Sequence, residues 1–212
     1  MKIKICGLRR AQDIEWVNRL RPEYAGFVFA PGRRQVTVPL AAELAARLDV
    51  SVTAVGVFVD ALPQAVAEAA RVCRLGAVQL HGAEDAGYIA SLRPLLPVGC
   101  RVWKAVRVRG AADLAAAWRV PCNMVLLDAF SPCVAGGSGH SFDWGLLAGA
   151  RTRRTCFLAG GLDAQNVARA VRTVRPLGVD VSSGVETDGV KDGGKMAAFI
   201  AAARAAAAGA GL

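Results

Sequence analysis

Apolar residues along this chain fall into two alternating patterns. Short dense runs read as strands: "KIKIC" (2–6), "YAGFVF" (24–29), "VTAVGVFV" (52–59), "GAVQLH" (76–81), "RVWKAV" (101–106), "CNMVLLD" (122–128), "TCFLAG" (155–160) and "GVDVSS" (178–183). Between them the apolar positions take helical spacing. Leu40, Leu44 and Leu48 share one stripe after Pro39. Val167, Ala170, Val171 and Val174 fall at i, i+3, i+4 and i+7, with Asp163 placed to cap that helix. Met196, Phe199, Ile200 and Ala203 repeat the pattern, and an Ala-rich tail continues it.

Eight strands, each followed by a helix, fit an open doubly wound sheet or a closed (β/α)8 barrel. An open sheet binding a dinucleotide would carry G-x-G-x-x-G after its first strand, and "CGLRRAQ" is not that motif. Polar residues gather instead at the strand ends, where barrels build their sites. These are Cys6, His81, Lys104, Asp128 and Ser182, with Gln79 and Asp180 one step deeper on their strands. The expectation is a single α/β domain, a (β/α)8 TIM barrel over 1–212.

Within the first strand, Lys4 and Cys6 face one way and Ile3 and Ile5 the other. A lone cysteine at a strand end reads first as a small buried hydrophobe. The last two strands end in loops suited to phosphate. Gly160 and Gly161 let backbone approach a ligand, and Ser182, Ser183 and Gly184 offer N–H donors at the start of a short helix. No P-loop pattern occurs.

The net charge is +9. Its arginines are scattered, with no basic block among aromatics, so the charge suits an anionic small molecule and not nucleic acid. Six cysteines at irregular spacing, without C-x-x-C, argue against metal and against a disulfide framework, and so for a reducing cytoplasm. No run is long enough to span a membrane, and the start lacks the form of a signal peptide.

Taken in order, "KICGL", "GFVFAPGRRQV", "VGVFVD", "VQLHG", "LLDAFSPCVAGGSGHSFDW", "AGGLDAQNV" and "VDVSSGVETDGVKD" resemble the phosphoribosylanthranilate isomerases of tryptophan biosynthesis. The resemblance implies an Amadori rearrangement of N-(5-phosphoribosyl)anthranilate, with no cofactor and no metal, in a monomer or homodimer. It makes Asp128 the acid and Cys6, as thiolate, the base. It places Arg34 near the anthranilate, with His81 and Asp180 positioning substrate and phosphate at Gly160, Gly161, Ser182, Ser183 and Gly184. Lys4 is expected to favour the thiolate or to form a barrel-interior salt bridge. Gly7 is expected to let the chain turn without crowding substrate, the glycine-rich stretch 131–144 to form a lid, and "FDW" to start the sixth helix. The sequence departs from the family pattern at Arg9, Gly32 and Ala159. A rival reading is a Schiff-base lyase using Lys104.

Overall fold

The computed structural model describes residues 1–129, 144–147 and 156–212. Eight parallel strands close into a barrel in chain order. They are β1 (Lys2–Cys6), β2 (Tyr24–Val28), β3 (Thr53–Phe58), β4 (Ala77–Leu80), β5 (Arg101–Arg107), β6 (Met124–Asp128), β7 (Cys156–Ala159) and β8 (Gly178–Val181). The seam is made by β1, whose Lys4 stands opposite Tyr24 of β2 on one side and Asp180 of β8 on the other. The closed alternative is therefore the one adopted.

Helices α1 (Ala11–Leu20), α2 (Val38–Ala46), α3 (Pro63–Val72), α4 (Ala86–Leu92), α5 (Ala111–Ala117), α6 (Val167–Val174) and α7 (Gly193–Gly209) follow the strands. A helix after every strand was expected. Between β6 and β7 the described residues hold a short 3-10 turn, Trp144–Leu147, which begins at the tryptophan of "FDW". Of the expected lid at 131–144, every residue but Trp144 lies outside the described residues.

The two-residue alternation of each strand sorts its side chains between two cores. Ile3 and Ile5 face the helices. Inside the barrel, Tyr24, Trp103 and Phe157 fill the N-terminal half, their ring centroids 4.8–5.6 Å apart. That aromatic plug closes the floor and leaves the other end of the barrel for polar groups.

The helical stripes hold with two shifts. In α6, Val167, Ala170, Val171 and Val174 are all buried, as their spacing predicts. Burying a Val side chain contributes about 1.5–3 kcal/mol, which outweighs its weak helix propensity. Asp163, however, does not cap that helix. Its carboxylate accepts the N–H groups of Gln165 and Asn166 in a preceding turn, and the helix starts at Val167. In α2, Leu44 is buried together with Ala41, while Leu48 lies beyond the helix end. Beyond β8, Ser183–Val185 form one 3-10 turn, and β9 (Glu186–Thr187) and β10 (Val190–Lys191) make a two-stranded hairpin before α7.

Candidate active site

The strand ends converge on one cavity of about 410 Å³ at the C-terminal mouth of the barrel. All the predicted site residues except Gly184 line it, joined by Gln79, Arg33 and Ala159. A second, wider groove of about 650 Å³ runs between α1 and the start of α7 and carries none of the strand-end residues.

Cys6 is nearly buried, 7% exposed, at the end of β1. Below it Lys4 is fully buried and donates to Asp180 Oδ1 at 3.0 Å. The expected interior salt bridge is therefore present. Burial pulls the Lys4 ammonium down, but Asp180 and the neighbouring thiol more than offset this, so Lys4 stays charged. For Cys6, burial is the larger influence and pushes the thiol above its ordinary range. Lys4 and Lys191 pull it back only in part, and Asp180 adds to the rise. Lys4 favours the thiolate, as expected, but does not win.

Asp128 ends β6, three strands around the barrel from β1. Its Oδ2 lies 3.2 Å from His81 Nε2, and the Gln79 amide nitrogen lies 3.4 Å from His81 Nδ1. The His81 ring therefore bridges the Gln79 amide and the Asp128 carboxyl. His81 is thus a partner of the candidate acid. Asp180 lines the cavity but spends one carboxylate oxygen on Lys4.

Arg34 enters from the loop after β2, with its fork already engaged. Nε and Nη2 donate to Glu186 Oε1 and Oε2 at 2.7 and 2.9 Å. What Arg34 presents to a ligand is its planar face and Nη1, which has no partner among the described residues. Glu186 also takes Arg33 at 2.8 Å and Lys191 at 2.7 Å. Burial pushes the Glu186 carboxyl up, but hydrogen bonds and charge from Arg34 and Lys191 override this and hold it at about 2.

Gly7 has φ +83°, and a Cβ there would come within 2.5 Å of Arg34 Cδ. The positive φ makes the expected turn, and the missing Cβ leaves room for the Arg34 side chain. Gly160 and Gly161 take positive φ beside the cavity. The Ser182 hydroxyl is committed, donating to the Cys6 carbonyl at 3.0 Å. Gly184 joins the two loops: a Cβ on it would lie 1.9 Å from the Leu162 carbonyl oxygen. The backbone N–H groups of Gly160, Gly161, Ser183 and Gly184 have no partner among the described residues, which suits an anion.

Lys104 is spent. Its ammonium donates to the Leu80 and Gly82 carbonyls and pairs with buried Glu84 at 2.9 Å, so its nitrogen is engaged and not free to attack a carbonyl. No cluster of metal-ligating side chains occurs among the described residues. Sequence reasoning gave no role to Glu186 and Lys191. Their signal is "ETDGVK", in which Asp188 and Gly189 both take positive φ, the geometry of a tight hairpin turn, and set Glu186 opposite Lys191.

The family model for N-(5'-phosphoribosyl)anthranilate isomerase matches residues 3–202. The chain belongs to this family. An N-(5'-phosphoribosyl)anthranilate isomerase of Acetivibrio thermocellus is 44% identical over 209 residues, covering 96% of each chain. That of Thermoanaerobacter sp. (strain X514) is 42% identical over 200 residues, 94% of this chain and 96% of the relative. Among solved structures, the phosphoribosylanthranilate isomerase of Thermotoga maritima superposes with a TM-score of 0.86 at 36% identity, covering 97% and 99% of the two chains. A phosphoribosylanthranilate isomerase in complex with reduced 1-(o-carboxyphenylamino)-1-deoxyribulose 5-phosphate superposes with a TM-score of 0.83 at 33% identity over 97% of this chain and 99% of that one.

Proposed function

We propose that this isomerase opens and rearranges N-(5'-phosphoribosyl)anthranilate by general acid–base catalysis, without cofactor or metal, as a step of tryptophan biosynthesis. The observation that carries this is the convergence of Cys6, Asp128 and two glycine-bearing loops on one cavity. The phosphate sits against the free amides of Gly160, Gly161, Ser183 and Gly184. The anthranilate lies toward Arg34, whose open face and Nη1 meet its ring and carboxylate.

In the first step Asp128 delivers a proton to the ring oxygen as the C1–O bond breaks. The nitrogen lone pair forms the iminium. In the second step Cys6, as thiolate, takes the proton from C2, and those electrons move through C1 to neutralise the iminium. The enol then becomes the ketone, its hydroxyl proton leaving and C1 gaining one. C1 is reduced and C2 oxidised within one molecule, so no external electron acceptor is needed. His81, hydrogen-bonded to Asp128, holds the acid toward the sugar. Lys4 keeps Asp180 oriented at the cavity wall and favours the anionic form of the base.

The raised thiol of Cys6 sets a condition on this reading. Thiolate is scarce in the free enzyme at neutral pH, so activity depends on the cationic neighbours that partly offset burial. The test is the loss of substrate fluorescence with purified protein, wild type beside Asp128→Asn. Conversion by wild type and none by the variant supports the reading. Equal conversion by both overturns it.

A further inference from the structure

Arg9 does not line the cavity, yet its guanidinium bridges two segments that shape it. Nη1 donates to the Arg33 carbonyl at 2.8 Å, and Nη2 to the Gly189 carbonyl at 3.0 Å. The first carbonyl belongs to the peptide that enters Arg34. The second lies in the turn of the β9–β10 hairpin. That same hairpin carries Glu186, which grips the Arg34 guanidinium through two hydrogen bonds. Arg34 is therefore held twice by one hairpin, at its backbone through Arg9 and at its head through Glu186. Arg9 is itself anchored, since its N–H donates to the buried carboxylate of Asp13 at 3.0 Å at the start of α1.

We propose that Arg9 is a positioning residue for Arg34 and thereby sets affinity for the carboxylate-bearing ring of the substrate. The inference rests on the reading that Arg34 meets that ring. Two donors of a rigid planar fork fix the orientation of the peptide before Arg34, and loop freedom there would otherwise be lost on each binding event. Because Arg9 bonds to neither the acid nor the base and does not line the cavity, its effect falls on binding and not on the chemical steps.

The experiment is steady-state kinetics of Arg9→Ala, Arg9→Lys, Arg34→Ala and the Arg9→Ala/Arg34→Ala double variant. Arg9→Ala is expected to raise KM roughly tenfold with kcat within about twofold, the scale of losing charge-assisted hydrogen bonds that act indirectly. Arg9→Lys is expected to keep KM raised, because a point charge does not fix two carbonyls as a fork does. In the Arg34→Ala background the Arg9→Ala change is expected to have no further effect on KM. A fall in kcat at unchanged KM, full recovery with lysine, or the same KM increase in both backgrounds would overturn the inference. An Arg34→Ala variant with unchanged KM would overturn the underlying reading of Arg34, and that failure shows in the single variant alone.

Discussion

Cys6 sits between opposed influences: burial holds its proton on, while the ammonium groups of Lys4 and Lys191 favour its loss. Both sequence readings of this residue therefore describe something real, since it is packed like a small hydrophobe and still aimed at the cavity. If it is the base, kcat/KM should climb with pH through neutrality, following a thiol pushed above its ordinary value, and a pH–rate profile checks this. Cys6→Ser and Asp128→Asn should each lower kcat by about 10²–10⁴-fold, the usual reach of one acid or base. The double variant should lose less than the product of the two, since both groups serve one sequence of steps. Lys4→Met should destabilise the fold by about 3–5 kcal/mol in urea titration, because it strands a buried carboxylate. The strand-end positions of these residues were legible from two-residue alternation alone. The commitments of the Arg34 fork to Glu186 and of the Ser182 hydroxyl to a carbonyl were not, because long and rotatable side chains choose partners that lie far away in the chain.

At the scale of elements, the loops after β7 and β8 work as one unit because Gly184 packs onto the Leu162 carbonyl. Gly184→Ala should push them apart, so inorganic phosphate should lose affinity and the substrate KM should rise by tenfold or more, a displacement effect of the kind that misplacing a ligand by about 1 Å produces. Competitive inhibition by phosphate, compared between wild type and variant, gives the answer. The hairpin β9–β10 makes a different claim, about acid. Glu186 is held near 2, against an ordinary 4.5 in the unfolded chain. A depressed carboxyl contributes stability that is full above about 4.5 and is lost as the pH falls toward 2, here on the order of 2–3 kcal/mol. Glu186→Gln should flatten that part of the stability–pH curve, as measured by denaturant midpoints between pH 2 and 6. The helices were legible wherever a full apolar stripe existed, as in α6. They were misjudged at the ends, where Asp163 closes a local turn instead of capping the helix, a choice between two short-range hydrogen bonds that spacing does not distinguish.

For the molecule as a whole, the barrel followed from counting eight runs and finding polar residues at their ends. Between β6 and β7 the described residues hold only the turn Trp144–Leu147, which begins within the expected "FDW" start. The net charge of +9 and a substrate that carries both a phosphate and a carboxylate imply long-range attraction. Its effect should show as a fall in kcat/KM with added salt while kcat changes little. Closure itself has a consequence for how the protein comes into being. β1 finds its second neighbour only in β8, with Lys2 beside Gly178 and Ile5 beside Val181. A growing chain thus holds its first strand half-paired while some 150 further residues, from the end of β2 to the start of β8, are made. Throughout that interval β1 and the latest strand each present an open row of amides and carbonyls, a template for another copy of the same chain. The seam that removes every edge from the finished barrel makes the unfinished one the form most prone to stick to itself.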